Sequence, residues 1–225
     1  MIVRAREWTA ILAAMDGGFF ITFEGGEGTG KSTQIRRLAD HLGTRGRTVL
    51  VTREPGGTPI AEAARSLLLD PALEPDGLTE LFLLEAARRD HVERVLRPAL
   101  TRGEIVLSDR YADSSTVYQG MVRGVGVERV VELNRLATGG LEPDLTFVLD
   151  LDPAAGVTRA RLRNAAGDGS ESRLDDEPAD FHHRVREGFL MLADLAPQRV
   201  RVVAAAGEAD AVFERIRAEL PEELR

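Results

Sequence analysis

The clearest chemical signal of the sequence lies between Phe23 and Thr33, which read FEGGEGTGKST. Four glycines fall within six residues there, and Lys31 is the only lysine of a chain that has 28 arginines. Glycines allow successive backbone N–H groups to point at one anion, and a helix that begins there adds partial positive charge. A compact lysine ammonium fits between phosphates where the planar arginine fork is bulkier. The stretch therefore predicts a phosphate-binding loop.

The spacing matches G-x-x-x-x-G-K-[ST], the P-loop pattern, and the strand-like run before it and the helical pattern after it supply the context of that motif. We expect Lys31 to reach the β- and γ-phosphates of a nucleoside triphosphate and the Ser32 hydroxyl to bind Mg²⁺. The residues expected to hold the triphosphate are Gly25, Gly26, Glu27, Gly28, Thr29, Gly30, Lys31 and Ser32.

The P-loop leaves the reaction open, but two features narrow the class of protein. The sequence has no N-K-x-D stretch, with which switch GTPases bind their base. The third predicted strand runs into LSDRY, and not into the DE or DD that usually follows this strand in motor and remodelling ATPases. Both classes are therefore disfavoured.

The elements that must position these residues predict an α/β fold. Continuous apolar, β-rich runs alternate with stretches of helical periodicity, which is typical of a parallel sheet covered on both faces by helices. Ligands of such sheets bind at the carboxyl ends of the strands. We expect a P-loop NTPase with a five-stranded parallel sheet flanked by helices. The predicted strands are Phe19–Phe23, Thr48–Thr52, Glu104–Asp109, Leu145–Asp152 and residues 199–205.

Domain organisation is predicted to be simple, with a single kinase-sized domain over residues 18–225 and a short extension, disordered or helical, over residues 1–17. The predicted helices include a long one from Thr79 to Thr101. A small, polar stretch after the helix at 153–163 is typical of a mobile loop, and we expect a mobile lid at about residues 164–177.

Composition limits the partners. The net charge of −8 and the sequence pI near 5.2 disfavour a general nucleic-acid binder, so an anionic ligand must be held by a local cluster of cations. The chain has no cysteine, which excludes disulfides and thiolate metal sites. No apolar run approaches the roughly 20 residues that span a bilayer, and residues 1–17 resemble a signal peptide only loosely. We expect a cytoplasmic protein with neither membrane nor nucleic-acid partners.

Three further stretches carry a family resemblance: TREPGGT at 52–58, DRYADSSTVYQG at 109–120 and SRLDDEPADFHHRVREGFLMLA at 172–193. Together with FFITFEGGEGTGKST they closely resemble the bacterial thymidylate kinases, from about residue 18 to the C-terminus. The combination of REPGG after the second strand and DRY after the third is specific to this family. The resemblance implies Mg²⁺-dependent transfer of the γ-phosphate of ATP to dTMP, which gives dTDP for dTTP synthesis.

The resemblance also assigns roles around the reacting phosphates. Arg53 of REPGG and Arg110 of DRY match arginines that bind the monophosphate, and Asp109 matches an aspartate that helps to hold Mg²⁺ and its water. Glu27 matches an acidic P-loop residue that contacts the deoxyribose 3′-hydroxyl. We expect Lys31, Arg110, Glu27 and a lid arginine to form the catalytic set.

The position of Gly28 separates two subgroups of the family. One subgroup carries arginine there, and the other has glycine and supplies an arginine from the mobile lid. This sequence is similar to the second type, and Arg173 is the expected lid arginine, closing over ATP in the transition state. Arg159 and Arg161 are further candidates, although a solvated helix face explains Arg159 equally well.

The resemblance places the base-binding residues on the long helix and after the third strand. Arg88 is expected to donate to thymine O4, Tyr118 to exclude a 2′-hydroxyl, and Leu84 to cover the base where many relatives have phenylalanine. Phe82 is expected to pack in the core. The remaining substrate-binding candidates are Pro55, near the C5-methyl, and Ser114, Ser115 and Gln119, any of which approaches N3 and O2.

Two rival functions remain open at this point. A deoxynucleoside kinase also carries a DR stretch, but its uncharged acceptor would not require Arg53. A non-catalytic P-loop module would not need both Arg53 and Arg110. Members of the family are usually homodimers that pack the long helix, although Leu81, Leu84 and Val92 fit an intramolecular core equally well.

Overall fold

The computed structural model of the protein describes residues 18–165 and 176–225. The predicted N-terminal extension, most of the predicted lid and Arg173 lie outside the described residues. The strands are β1 (Phe19–Glu24), β2 (Val49–Arg53), β3 (Ile105–Asp109), β4 (Leu145–Asp150) and β5 (Val200–Ala204). The α-helices are α1 (Lys31–Gly43), α2 (Pro59–Leu69), α3 (Gly77–His91), α4 (Arg97–Thr101), α5 (Ala112–Ser115), α6 (Val127–Thr138), α7 (Pro153–Ala165), α8 (Ala179–Leu195) and α9 (Ala209–Glu219).

The five strands form one sheet in the order β2-β3-β1-β4-β5, and all four neighbouring pairs are parallel. This confirms the predicted five-stranded parallel sheet. Its register brings functional positions together at the carboxyl edge, since Phe23 lies opposite Asp109 and Arg53 also lies opposite Asp109. The ends of β1, β2 and β3, each followed by one of the predicted motifs, therefore meet at one place.

Alternating residues of the central strands bury both faces of the sheet. Phe19, Ile21 and Phe23 pack into a core cluster with residues of α1 and α9. Phe20 points to the opposite face, where it packs with residues of β3 and of the helical segments around Val92 and Leu96. Because both faces are covered, the strands appear in sequence as continuous apolar runs.

The long predicted helix is confirmed as a continuous helical stretch from Gly77 to Thr101, in which a π-helical segment, Val92–Leu96, joins α3 to α4. A second helical stretch was not predicted: α5 continues as a π-helical segment over Thr116–Val122. The β-branched and polar residues of this stretch are weak helix formers, so its helical state depends on packing against α6 and α8.

The expectation that Phe82 packs in the core is wrong. Its side chain is 55% exposed on α3, whereas Leu81 and Val92 are fully buried within the chain. The helix turns 100° per residue, so neighbouring residues of one apolar stretch point in different directions. Phe82 therefore leaves a large apolar side chain on the surface of α3.

Within the described part of the chain, no helix is long and apolar enough to cross a membrane.

Candidate active site

The phosphate-binding loop connects β1 to α1. Gly25, Gly28 and Gly30 have φ angles of 129°, 63° and 92°, which residues with a side chain rarely adopt. Helix α1 begins at Lys31 with Gly30 as its left-handed N-cap. The loop therefore wraps around the N-terminus of a helix, where backbone N–H groups attract an anion.

Lys31 is buried with 8% of its surface exposed. Its Nζ donates to the carbonyl oxygens of Gly26 at 2.9 Å and Gly25 at 3.3 Å. Burial and the nearby Arg110 lower the pKa of Lys31, against the opposing effect of three carboxylates. The ammonium is thus held at the loop by uncharged carbonyl acceptors. A negatively charged phosphate is a stronger acceptor and can replace them.

Close packing of the loop against helix α7 explains why position 28 is a glycine. A Cβ on Gly28 would lie 1.9 Å from the carbonyl oxygen of Gly156, and a Cβ on Gly156 would lie 2.4 Å from the carbonyl oxygen of Glu27. Two backbones therefore touch, and no side chain fits at either place. Any residue with a side chain, arginine included, is therefore sterically excluded from position 28.

The two predicted metal-binding residues are adjacent. The Ser32 hydroxyl donates to Asp109 Oδ2 at 2.8 Å, although the two residues are far apart in sequence. A hydroxyl and a carboxylate are hard oxygen donors that suit Mg²⁺, which usually takes few protein ligands together with phosphate oxygens and water. No cluster of three or more His, Cys, Asp or Glu side chains that could hold a metal occurs among residues 18–165 and 176–225.

Arg110 has a left-handed backbone, with a φ of 71°, a strained conformation that surrounding contacts must maintain. Its N–H donates to Phe23 O at 2.9 Å, and its carbonyl accepts the Ser108 hydroxyl at 2.8 Å. The guanidinium donates to Glu27 Oε1 at 2.7 Å and to Gly25 O at 3.1 Å. The turn therefore aims Arg110 at the phosphate-binding loop.

Glu24 is the buried support of this turn. Its Oε1 accepts the Tyr111 N–H at 2.8 Å, and its Oε2 accepts the Ser114 hydroxyl at 2.5 Å. Burial, followed by the nearby Asp113, raises the pKa of Glu24 to about 8, although Arg110 and the two hydrogen bonds oppose the shift. Sequence analysis missed Glu24, because a carboxyl at a strand end gives no sign of what it supports.

Glu27 and Tyr118 lie together beside Arg110. The Tyr118 hydroxyl donates to Glu27 Oε1 at 3.2 Å, and the Arg110 guanidinium lies 5.0 Å from the centre of the Tyr118 ring. Burial works to raise the pKa of Glu27, but Arg110 and Lys31, with smaller effects of Tyr118 and His182, lower it below its usual value. The structure thus brings together the two residues predicted to bind the sugar.

Arg53 is half-exposed at the end of β2 and donates to both carboxylate oxygens of Glu62 at 2.9 Å. Arg65 lies about one turn after Glu62 on α2 and donates to Pro55 O at 3.1 Å. Burial and then Arg53 lower the pKa of Arg65, and Arg110 adds to this effect. The motif stretches revealed Arg53 and Arg110 but not Arg65, whose only sequence signal is its position three residues after Glu62 on the same helix face.

Arg88 is buried, with 2% of its surface exposed, and all its N–H groups are engaged. It donates to Glu54 at 2.8 Å, to Glu85 and Asn134 at 2.6 Å each, to Ser115 Oγ at 2.9 Å and to Tyr111 O at 3.3 Å. In this arrangement a base acceptor would have to displace one of these partners. Arg88 also holds the REPGG loop to α3 through Glu54.

The three alternatives for thymine N3 and O2 occupy different places. Ser114 lies at the phosphate end, where its hydroxyl also accepts from Arg110 at 3.2 Å. Ser115 lies against Arg88. Gln119 donates its amide N–H to Glu80 at 2.8 Å, and its buried Oε1 has no hydrogen-bond partner among the described residues. Gln119 is therefore the alternative with an available acceptor.

The other predicted residues are placed as follows. Leu84 is half-buried on α3, and Pro55 is half-buried after a cis Glu54–Pro55 peptide bond. Arg159 and Arg161 are exposed on α7, and Arg173 lies outside the described residues. The catalytic lid arginine thus remains a prediction.

Comparisons with known proteins agree with this geometry. A sequence model of the family described as "Thymidylate kinase" matches residues 23–216. A thymidylate kinase of Syntrophotalea carbinolica is 51% identical over 202 residues, 88% of this chain and 93% of the relative. A thymidylate kinase of Deinococcus radiodurans is 50% identical over 196 residues, 87% of this chain and 93% of the relative. The crystal structure of a thymidylate kinase from Ehrlichia chaffeensis has a TM-score of 0.73 at 33% identity and covers 90% of this chain and 98% of its own.

Proposed function

This chain belongs to the thymidylate kinase family, and we propose that its reaction runs at the shared carboxyl edge of β1, β2 and β3. It is an enzyme that phosphorylates dTMP with ATP as the phosphate donor, and it has the P-loop NTPase fold. The observation that carries the residue assignments is the register of the sheet, in which Arg53 and Phe23 both lie opposite Asp109. The phosphate-binding loop and both arginine motifs therefore border one cleft.

On the donor side, the phosphate-binding loop and Lys31 hold the triphosphate of ATP. Ser32 and Asp109 would hold Mg²⁺, which neutralises phosphate charge when it is bound. Arg110 lies against the loop, since its guanidinium contacts Gly25 and Glu27, and we assign it to both the donor and the acceptor phosphates. Phosphoryl transfer depends mostly on positioning and charge neutralisation, which is what these cations supply.

On the acceptor side, Arg53, Arg65 and Arg110 form the cation cluster for the monophosphate. The dianionic phosphate replaces Glu62 as the hydrogen-bond partner of Arg53. Glu27 accepts the deoxyribose 3′-hydroxyl, and the Tyr118 ring beside it fills the space that a 2′-hydroxyl would need. These assignments explain why an uncharged nucleoside would be a poor acceptor.

Base recognition is assigned to Gln119, Arg88 and Leu84. The buried Oε1 of Gln119 has no hydrogen-bond partner in the part of the chain that the structure describes. It can accept the N3–H of thymine, because a buried acceptor favours a ligand that satisfies it. Arg88 holds Ser115 and the REPGG loop in place and donates to O4 when one of its present partners gives way. Leu84 covers the base with apolar surface.

Coupled ADP release tests the proposal with a panel of acceptors: dTMP, dUMP, ribo-TMP, dCMP, AMP and thymidine. We expect dTMP to be the preferred substrate and thymidine to be inactive. An Arg53→Met variant should raise the KM for dTMP at least tenfold while the KM for ATP stays the same. Activity on thymidine in place of dTMP would contradict the assignment of Arg53.

A homodimer in the cytoplasm completes the proposal. Three large apolar side chains of the packed helices α2 and α3 are about half exposed, namely Ile60 at 53%, Leu67 at 48% and Phe82 at 55%. Burying such surface against a second copy is favourable. We therefore assign this helix pair to the interface between two subunits.

A further inference from the structure

A small cavity lies between the phosphate-binding loop, the carboxyl end of β4 and helix α8. Its volume is about 20 Å³, which is room for one water molecule. The charged and titratable residues that line it are Glu27, Asp150, His182 and Arg186. Of these four, only Glu27 has a role in the reaction proposed above.

His182 is the titratable residue of this cavity whose Nε2 has no hydrogen-bond partner among the described residues. It is 7% exposed, and its Nε2 is buried without a hydrogen-bond partner among residues 18–165 and 176–225. Its ring packs edge-on against Phe181, with the ring centres 5.6 Å apart. A buried polar atom is unfavourable unless water or a ligand satisfies it, so the ring nitrogen needs a polar group inside the cavity.

The other charged lining residues satisfy each other. Arg186 donates to both carboxylate oxygens of Asp150, at 2.6 and 3.0 Å. Glu27 differs, because both of its described hydrogen bonds, from Arg110 and Tyr118, reach Oε1. Its second oxygen has capacity for a further donor. Glu27 is thus the charged group of the cavity with an oxygen available to a water bound there.

We propose that His182 is a positioning residue that, through one water in this cavity, orients the Glu27 carboxylate to accept the 3′-hydroxyl of dTMP. The inference rests on the assignment of Glu27 to that hydroxyl in the proposed function. His182 does not touch the substrate. Through the water it holds Glu27 Oε2, while Arg110 and Tyr118 hold Oε1.

Discrimination between dTMP and 3′-deoxy-dTMP, which lacks only the 3′-hydroxyl, tests this role. The variants are His182→Phe, which keeps an aromatic ring but no ring nitrogen, and His182→Gln, which keeps a polar group. The neighbouring His183 is exposed, so His183→Phe is the matched control. We expect His182→Phe to raise the KM for dTMP about five- to tenfold and to leave kcat and the kinetics with 3′-deoxy-dTMP unchanged. His182→Gln should retain most of the preference for dTMP over 3′-deoxy-dTMP.

Other outcomes separate the possible failures. Equal losses with both acceptors, or no change with either, would show that His182 has only a structural role. A Glu27→Gln variant that still prefers dTMP as strongly as the parent would overturn the assignment of Glu27 itself, and with it the premise. If His182→Phe does not fold, His182→Leu compared with His182→Gln carries the same test.

Discussion

At the scale of single residues, Glu24 couples the stability of the fold to pH. Its raised pKa of about 8 means that the folded protein keeps a proton which the unfolded chain loses near pH 4.5. The stabilisation is therefore fully present below pH 4.5 and is lost as the pH rises towards and through 8. A protonated carboxyl and a glutamine amide have the same donor and acceptor groups here, because each can accept the Tyr111 N–H with its carbonyl oxygen and donate to the Ser114 oxygen.

Glu24→Gln should accordingly remove this loss. We expect the free energy of unfolding of the variant, measured with urea, to exceed that of the parent by on the order of 2 kcal/mol at pH 8.5, since one pKa unit corresponds to about 1.4 kcal/mol. At pH 5 the two proteins should be nearly equal. Glu128, exposed on α6, gives the control Glu128→Gln, which should not change the pH profile. A difference that is the same at both pH values would contradict the assignment.

Leu84 is a second residue-scale test, because the proposed function assigns it to cover thymine without an aromatic ring. An aromatic pair contributes about 0.5–1.5 kcal/mol beyond its buried area, which corresponds to a two- to tenfold change in affinity. Leu84→Phe should therefore lower the KM for dTMP by about that factor and leave the KM for ATP unchanged. Unchanged kinetics with dTMP would show that Leu84 does not lie against the base.

The contrast between Asp109 and Glu62 shows how far sequence goes at this scale. The pairing of Asp109 with Ser32, and its closeness to Arg53, follow from a rule, because motifs that end neighbouring parallel strands must meet. Glu62 and Glu24 follow no such rule, since their partners depend on side-chain directions that only the packed structure fixes. The same reason explains why Arg88, predicted as a base contact, was not foreseen to have so many protein partners.

At the scale of elements, the contact between the phosphate-binding loop and α7 is the tightest in the site. Sequence patterns predicted both elements but not their backbone contact, because a glycine in a helix gives no sign of what approaches it. Gly156→Ala would place a methyl group 2.4 Å from the carbonyl oxygen of Glu27, and so must push α7 and the loop apart.

The expected result of Gly156→Ala is a KM for ATP raised at least fivefold, because the loop that holds the triphosphate must shift. Gly43, at the end of α1, is a matched control, since a Cβ there meets nothing within 4 Å, and Gly43→Ala should leave the kinetics unchanged. Thermal melting of both variants checks that the fold is intact. An unchanged KM for ATP in Gly156→Ala would mean that α7 moves without disturbing the loop.

At the scale of the whole molecule, the exposed apolar face of α2 and α3 is the surface assigned to the proposed homodimer, and its residues are distinct from those of the core. Sequence periodicity places Leu81 and Phe82 in the same apolar stretch, yet the first is fully buried and the second is 55% exposed. Phe82 is followed at helical spacing by the exposed residues Ala86 and Arg89 of α3 and Glu93 of the π-helical segment, and Arg89 pairs with Glu93 at 2.9 Å. This polar end can frame an interface centred on Phe82.

Phe82→Asp should therefore convert a dimer into monomers in sedimentation velocity, because it places a charge where two apolar faces meet. Leu195, which is 76% exposed on α8, provides the control Leu195→Asp, and this variant should remain dimeric. Monomers that keep a normal far-UV spectrum would show that the change acts on assembly and not on folding. A Phe82→Asp protein that still sediments as a dimer would place the interface elsewhere. A variant that loses its fold would show that Phe82 stabilises α3 and does not form the interface.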